Sequence, residues 1–74
     1  MIINEFIELF AEAIEVDAPR TLTPNTKFHE LDEWSSISVM LLIAFFDDEF
    51  DKEITPSEIN AAKTIEDLFK IAIA

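Results

Sequence analysis

Apolar residues in the first part of the chain recur with the period of an α-helix. They lie three or four positions apart, and the acidic residues between them fall largely on the opposite side of that helix. The members of this apolar stripe are Ile3, Phe6, Ile7, Phe10 and Ile14. The pattern predicts a first helix from about residue 3 to residue 16. Asp17-Ala18-Pro19 should end it, because proline disfavours helical backbone in the residue before it.

A second helix is predicted from about Ser36 to Phe50. Its core-facing stripe should consist of Val39, Leu42, Ile43, Phe46 and Phe50. The connection before it, from Asp17 to Trp34, is longer than most loops in compact domains. Apolar residues occur along this connection at intervals, so we expect an ordered loop that delivers the chain to a particular place. These anchors are Leu22, Phe28, Leu31 and Trp34.

Two capping patterns predict the remaining helices. Thr55-Pro56-Ser57-Glu58 combines a threonine N-cap, a proline at the first helical position and a glutamate at the third, and so predicts a short third helix anchored by Ile59. Thr64, with Asp67 three residues later, should cap a fourth helix. That helix should bury Ile65, Leu68, Phe69 and Ala72. Strand-like alternation does not persist anywhere, so the fold class is predicted to be an all-α bundle.

Length and composition limit the class of protein. The 74 residues predict one domain covering residues 1–74, and half of them are apolar, which is enough for one compact core. The absence of cysteine excludes a disulfide or a thiolate metal site. The longest apolar run, Val39 to Phe46, has eight residues, whereas a membrane span needs about 20. Residues 1–5 lack the basic stretch of a signal peptide. We therefore expect a soluble, cytoplasmic monomer that does not enter membranes.

The formal net charge of −11 affects the choice of partner. Nucleic acid is excluded as a partner, because a polyanion gains no counterion release from an acidic protein. Anionic membrane surfaces are disfavoured for the same reason. The charge favours partner proteins with basic docking patches. Its simplest alternative role is solubility alone.

Two serines stand where the long loop is predicted to become the second helix. Ser35 suits the N-cap, with its hydroxyl accepting a free backbone N–H, and Ser36 then falls on the first turn. A phosphate ester on Ser36 would lie at the positive end of the helix dipole, beside unpaired N–H groups. The position therefore suits a phosphate-linked modification. Serines before a helix usually serve only as caps, so the position alone does not decide between the two roles.

The whole chain resembles the acyl carrier proteins, which bear a 4′-phosphopantetheine arm on a serine at the start of their second helix. Ser35-Ser36-Ile37 stands at the family's Asp-Ser-Leu motif and leads without a gap to Asp47-Asp48-Glu49-Phe50. Thr26-Lys27-Phe28 resembles the approach to the motif, and residues 63–68 resemble the fourth helix. The resemblance implies a four-helix bundle of acyl-carrier type, with a short third helix and a long loop between the first two helices.

The resemblance assigns the carrier role to Ser36 and places Ser35 at the family's aspartate. It implies a phosphopantetheinyl transferase that modifies Ser36 from coenzyme A, and loading and processing enzymes that act on an acyl or aminoacyl thioester. The domain itself would not be an enzyme. The substitution at Ser35 removes a negative charge beside the modified serine, while Ile37 for leucine is a mild change. The alternative is a carrier-fold interaction module that is never modified.

The outer face of the second helix is the predicted docking surface for partners. This helix is apolar nearly all round, so some of its apolar residues cannot be buried in so small a domain. We expect an exposed apolar patch beside Ser36, rimmed by two acidic residues. The predicted docking residues are Ile37, Met40, Leu41, Ala44, Phe45, Asp47 and Asp48. The simpler alternative is a rotated helix that buries two of the apolar residues under the loop.

Other chemistry is less well supported. His29, Asp32 and Ser36 supply the residue types of a hydrolase triad, but no nucleophile-elbow glycines accompany them. The acidic run 47–51 lacks the glycine and ligand spacing of a calcium loop, so no metal site is predicted. Phe45, Phe46 and Phe50 are expected to leave little room between the helices for a long acyl chain. The cargo is not specified, although a specialised biosynthetic pathway is favoured.

Overall fold

The computed structural model describes residues 2–16 and 21–74, and these residues form helices and no strands. The four α-helices are α1 (Ile3–Ala13), α2 (Ser36–Phe50), α3 (Pro56–Ala61) and α4 (Ile65–Ile73). A short 3-10 helix, Phe28–Glu30, interrupts the long loop before α2. No helix within residues 2–16 and 21–74 is long and apolar enough to cross a membrane. The predicted all-α bundle of acyl-carrier type is therefore confirmed, with α3 the shortest of these helices.

Helix α1 ends three residues before its predicted end. Glu15 adopts the left-handed conformation, with φ of 61°. The Val16 N–H then donates to the Ala11 carbonyl at 2.8 Å and the Glu15 N–H donates to the Glu12 carbonyl at 3.3 Å. This pair of hydrogen bonds is the Schellman arrangement, which closes a helix without proline. The predicted stop at Asp17-Ala18-Pro19 lies outside the described residues.

The core is built largely from phenylalanine. The predicted apolar stripe of α1 is buried except for the half-buried Ile3. The largest fully buried side chains come from every helix and from the long loop. These side chains are Phe6, Phe10, Phe28, Phe46, Leu42, Ile59, Ile65 and Leu68. Phe6 is central, since its ring lies 5.5–6.3 Å from those of Phe10, Phe45, Phe46, Phe50 and Phe69.

Helix α2 is rotated relative to the sequence prediction. Phe45, expected on the outer face, is only 7% exposed, whereas Val39 and Ile43 are half-buried. The Phe45 ring lies 5.8 Å from the Phe6 ring and 5.5 Å from the Phe50 ring. Placing Phe45 in the exposed patch was therefore wrong, because α1 offers its ring an aromatic surface. The helix is thus rotated as in the alternative, but it buries Phe45 against α1 and not two residues under the loop.

The described part of the long loop is ordered, as predicted for it, and it is tied to the start of α4. The Ile65 N–H donates to the Thr26 carbonyl at 3.1 Å, and the Glu66 N–H donates to the Pro24 carbonyl at 2.9 Å. These are two of the free N–H groups of the first turn of α4. Phe28 is fully buried below the loop. The loop therefore reaches α2 along a fixed path over residues 21–35.

The capping patterns of α3 and α4 are confirmed. Thr55 Oγ1 accepts the Glu58 N–H at 3.2 Å, and the Glu58 carboxylate accepts the Thr55 N–H at 3.1 Å. Thr64 Oγ1 accepts the Asp67 N–H at 3.3 Å, and the Asp67 carboxylate accepts the Thr64 N–H at 3.1 Å. Each reciprocal pair satisfies two backbone donors and fixes the start of its helix.

Candidate functional site

Ser36 is the first residue of α2, as the sequence predicted. Ser35 is the N-cap, with extended backbone at φ −147° and ψ −180°. The Ser36 side chain is exposed, and its hydroxyl forms no hydrogen bond with the described residues. An exposed hydroxyl without a partner on the first turn of a helix can be reached by a modifying enzyme.

Ser38, which the sequence analysis did not single out, holds the start of α2 together. Its side chain is only 2% exposed. Its hydroxyl accepts the Ser35 N–H at 3.0 Å and donates to the Glu33 carbonyl at 3.3 Å. The Ser35 hydroxyl does not form the predicted cap hydrogen bond. The missed signal was a serine three residues after a serine cap, where a capping box usually has Glu or Gln.

Trp34 anchors the loop immediately before the two serines, as predicted. Its half-buried ring meets the Phe28 ring at 4.9 Å and the His29 ring at 5.3 Å, both edge to face. Its backbone N–H donates to the Leu31 carbonyl at 3.0 Å. The segment that presents Ser36 is thus packed against the core and does not extend freely from it.

Most of the predicted docking residues form an exposed surface on α2. Ile37 is 65% exposed and Met40 71% exposed, Ala44 is exposed and Leu41 is half-buried. We call these four residues the apolar patch. No charged residue lies between Glu33 and Asp47 in the sequence. Asp47 and Asp48 are exposed at the far end of the helix. Phe45 is not part of this surface.

A groove adjoins the patch between α2 and the segment that leads into α3. Its volume is about 450 Å³. Met40, Ile43 and Ala44 line its apolar side. Asp47, Lys52 and Glu53 add charged side chains to its lining. The groove thus combines apolar and charged side chains.

The acidic side chains near the end of α2 form no ion pair with a cation of residues 2–16 or 21–74. Within the described residues the ion pair formed is Lys70 Nζ to Glu66 Oε1, at 3.8 Å on α4. In the same part of the chain, no group of three or more His, Cys, Asp or Glu side chains is arranged to hold a metal ion. The carboxylates of Asp47 and Asp48 are free to meet a partner's basic groups.

The hydrolase triad considered from the sequence is not assembled. His29 Nε2 lies 3.1 Å from the Ile59 carbonyl and 3.1 Å from the Ala62 carbonyl. No hydrogen bond joins His29 to Ser36 or Asp32 among the described residues. A ring nitrogen that donates to backbone carbonyls does not serve as a general base for Ser36.

The site fits a covalent phosphopantetheine group. Attachment requires an accessible hydroxyl, which Ser36 supplies, and the phosphodiester it forms carries a negative charge. The first turn of α2 contains no acidic residue, so nothing in that turn repels this charge. The free N–H groups of the turn and the helix dipole favour it. When bound, the group supplies a terminal thiol able to carry an acyl group as a thioester.

Comparison with known proteins agrees with this geometry. The family model described as a phosphopantetheine attachment site matches residues 4–70. No curated protein matches the chain. Members of the family bear 4′-phosphopantetheine covalently and, as carrier domains, are served by transferases and acyl-processing enzymes. The match covers most of the chain, which therefore belongs to the phosphopantetheine-attachment family and is a carrier protein of the acyl-carrier type.

Proposed function

We propose that this protein carries an acyl or aminoacyl group as a thioester on a 4′-phosphopantetheine arm attached to Ser36. The observation that carries the proposal is the Ser36 hydroxyl on the first turn of α2, which is exposed and has no partner within the described part of a chain that belongs to this family. The protein supplies a tether and a recognition surface and performs no catalysis. Partner enzymes carry out the chemistry.

The roles of the residues follow from their environments. Ser36 Oγ loses its proton to a base of the transferase and forms the phosphodiester bond, while adenosine 3′,5′-bisphosphate leaves coenzyme A. Ser38 fixes the backbone of Ser35 through its buried hydroxyl, so Ser36 is presented in one geometry. Ile37 lies beside Ser36 and offers apolar contact to the transferase.

The apolar patch is the proposed docking surface for partner enzymes. Ser35 replaces the aspartate of the family motif, and the first turn of α2 has no acid. Within the first turn of α2, recognition therefore depends on apolar contact, and Ile37 and Met40 offer exposed apolar area. Asp47 and Asp48 lie farther along the helix and can pair with basic residues at the rim of a partner's cleft. We expect a partner cleft with an apolar centre and a basic edge.

Intact-protein mass spectrometry tests the attachment. The chain is incubated with coenzyme A and a broad-specificity phosphopantetheinyl transferase, together with the variants Ser36→Ala and Ser35→Ala. One phosphopantetheine adduct should form on the wild type and on Ser35→Ala, and none on Ser36→Ala. If the adduct is lost only in Ser35→Ala, the attachment site is Ser35 and not Ser36.

The second candidate is a carrier-fold interaction module that is never modified. The observation in its favour is Ser35 in place of the motif's aspartate. Failure of several transferases to modify the wild type would support this candidate over the carrier. The cytoplasmic location, the monomeric state, the single domain over residues 1–74 and the specialised pathway stay predictions from the sequence.

A further inference from the structure

His29 is the residue at which the loop leading to Ser36 meets the end of α3. Its Nε2 atom lies 3.1 Å from two backbone carbonyl oxygens, those of Ile59 and Ala62. A carbonyl oxygen can only accept a hydrogen bond, so Nε2 carries a hydrogen and donates to both. In the neutral ring this fixes the tautomer, with Nδ1 unprotonated. One side chain thus bridges segments separated by 30 or more positions in the sequence.

The two carbonyls need this donor because the backbone does not supply one. The Ala62 N–H closes α3 by donating to the Glu58 carbonyl at 3.0 Å. The next amide, that of Lys63, would donate to the Ile59 carbonyl if the helix continued. Instead it donates to the Asp67 carboxylate at 3.0 Å, as part of the cap of α4. The end of α3 is therefore held by a side chain from another part of the chain.

Helix α3 depends on such contacts, because it contains only six residues. Isolated helices shorter than about 12 residues are marginal in water. Ile59 is its one fully buried anchor among the described residues, and most of its other positions are exposed. The placement of its last turn should therefore be sensitive to the loss of the His29 hydrogen bonds.

The His29 ring also contacts the residues that lead to the modification site. The ring lies 4.2 Å from the Phe28 ring and 5.3 Å from the Trp34 ring, with the indole nearly perpendicular at 81°. Trp34 directly precedes Ser35, whose N–H is bound by Ser38. A continuous set of contacts therefore joins the last turn of α3, His29, Trp34 and the cap of α2.

We propose that His29 is a positioning residue that fixes the last turn of α3 to the Ser36 end of α2, so that modifying and processing enzymes meet both as one rigid surface. The recognition part rests on the proposed function of Ser36. The link itself is a property of the unmodified fold. Loss of the His29 donor should loosen α3 and weaken enzyme binding without altering the Ser36 hydroxyl.

Hydrogen exchange on the unmodified protein tests the link. His29→Leu preserves apolar bulk but removes the donor, His29→Gln restores an N–H donor on a side chain of similar reach, and Lys27→Ala is a surface control on the same loop. In His29→Leu the amides of α3 should exchange about tenfold faster, with those of Leu42 and Phe46 unchanged. His29→Gln should recover much of the protection. Unchanged exchange in α3, or equal acceleration in the core, would overturn the link.

Steady-state kinetics of the transferase test the recognition role. His29→Leu should raise the KM for the carrier about fivefold with little change in kcat, and His29→Gln should return KM toward the wild-type value. Trp34 fluorescence should shift in His29→Leu, because its ring partner is replaced. An unchanged KM, or a fall in kcat alone, would overturn the recognition role. If the wild type forms no adduct, the proposed function fails together with that role, while the exchange experiment still decides the link.

Discussion

Two serines in the first turn of α2 have opposite environments. The Ser36 hydroxyl is exposed and forms no hydrogen bond with the described residues, whereas the Ser38 hydroxyl is buried and forms two. The same residue type thus serves attachment at one position and helix capping two residues later. Mutation of the two positions should separate these roles.

Ser38→Ala should lower the free energy of unfolding by about 1–3 kcal/mol, because it leaves the Ser35 N–H and the Glu33 carbonyl without their partner. Ser36→Ala, the matched control, should change it by less than about 0.5 kcal/mol. Urea denaturation followed by circular dichroism measures both. Equal losses for the two variants would contradict the assignment of the cap to Ser38.

Asp67 gives the start of α4 a defined dependence on pH. Hydrogen bonds from the backbone N–H groups of Lys63 and Thr64 hold the pKa of its carboxyl below the ordinary value of 3.8. A lowered pKa contributes stability that is present above the ordinary value and is lost as the pH falls through the lowered pKa.

The free energy of unfolding of Asp67→Asn should therefore differ most from that of the wild type near neutral pH. The difference in free energy of unfolding should stay constant down to about pH 5 and shrink as the pH falls below about 4. Urea titrations at several pH values measure it, with Asp48→Asn as a control for the loss of one exposed charge. A difference that grows in acid would contradict the role of the carboxylate as a cap.

At the scale of the helix, the rotation of α2 decides which residues face a partner. Phe45 contacts Phe6, Phe46 and Phe50, whereas Met40 is largely exposed. Phe45→Ala should therefore reduce the free energy of unfolding by about 3–5 kcal/mol. Met40→Ala should change it by less than about 0.5 kcal/mol. Thermal and urea denaturation distinguish the two variants. A small effect of Phe45→Ala would favour the orientation of α2 predicted from the sequence.

The sequence predicted the helices to different degrees, for physical reasons. The starts of α3 and α4 depend on neighbouring residues such as Thr55 with Glu58, so a local pattern identifies them. The bounds of α2 were predicted correctly, but its rotation was not, because a helix that is apolar nearly all round has no periodicity to define one face. The position of Ser36 on the first turn of α2 was also predicted from neighbouring residues. The hydrogen bond from His29 to α3 was not predicted, because it joins residues about 30 positions apart in the sequence.

At the scale of the whole molecule, the charge is large but is absent from the part of α2 that follows the proposed attachment site. The net charge is −11, yet no charged residue occurs between Glu33 and Asp47. Long-range attraction should therefore bring a basic partner toward the protein, while the final contact beside Ser36 is apolar.

Met40→Asp should lower the transferase kcat/KM at least fivefold, because it places a charge in the apolar patch. Ile73→Asp adds the same charge to another exposed apolar position, on α4, and should leave kcat/KM nearly unchanged. Mass-spectrometric rates of adduct formation give both values. Equal effects would show that total charge, and not the patch, governs docking.

The way this chain ends its helices also indicates where it can be made more robust. Glycine is absent from the sequence, so the left-handed positions that close α1 and α2 are occupied by Glu15 and Asp51, with φ of 61° and 52°. A side chain with a Cβ atom is strained there, and aspartate tolerates the conformation better than glutamate. Glu15→Gly should raise the free energy of unfolding by roughly 0.5–1 kcal/mol, and Asp51→Gly by less. Neither position belongs to the apolar patch, so both substitutions should raise thermal stability without changing the proposed docking surface.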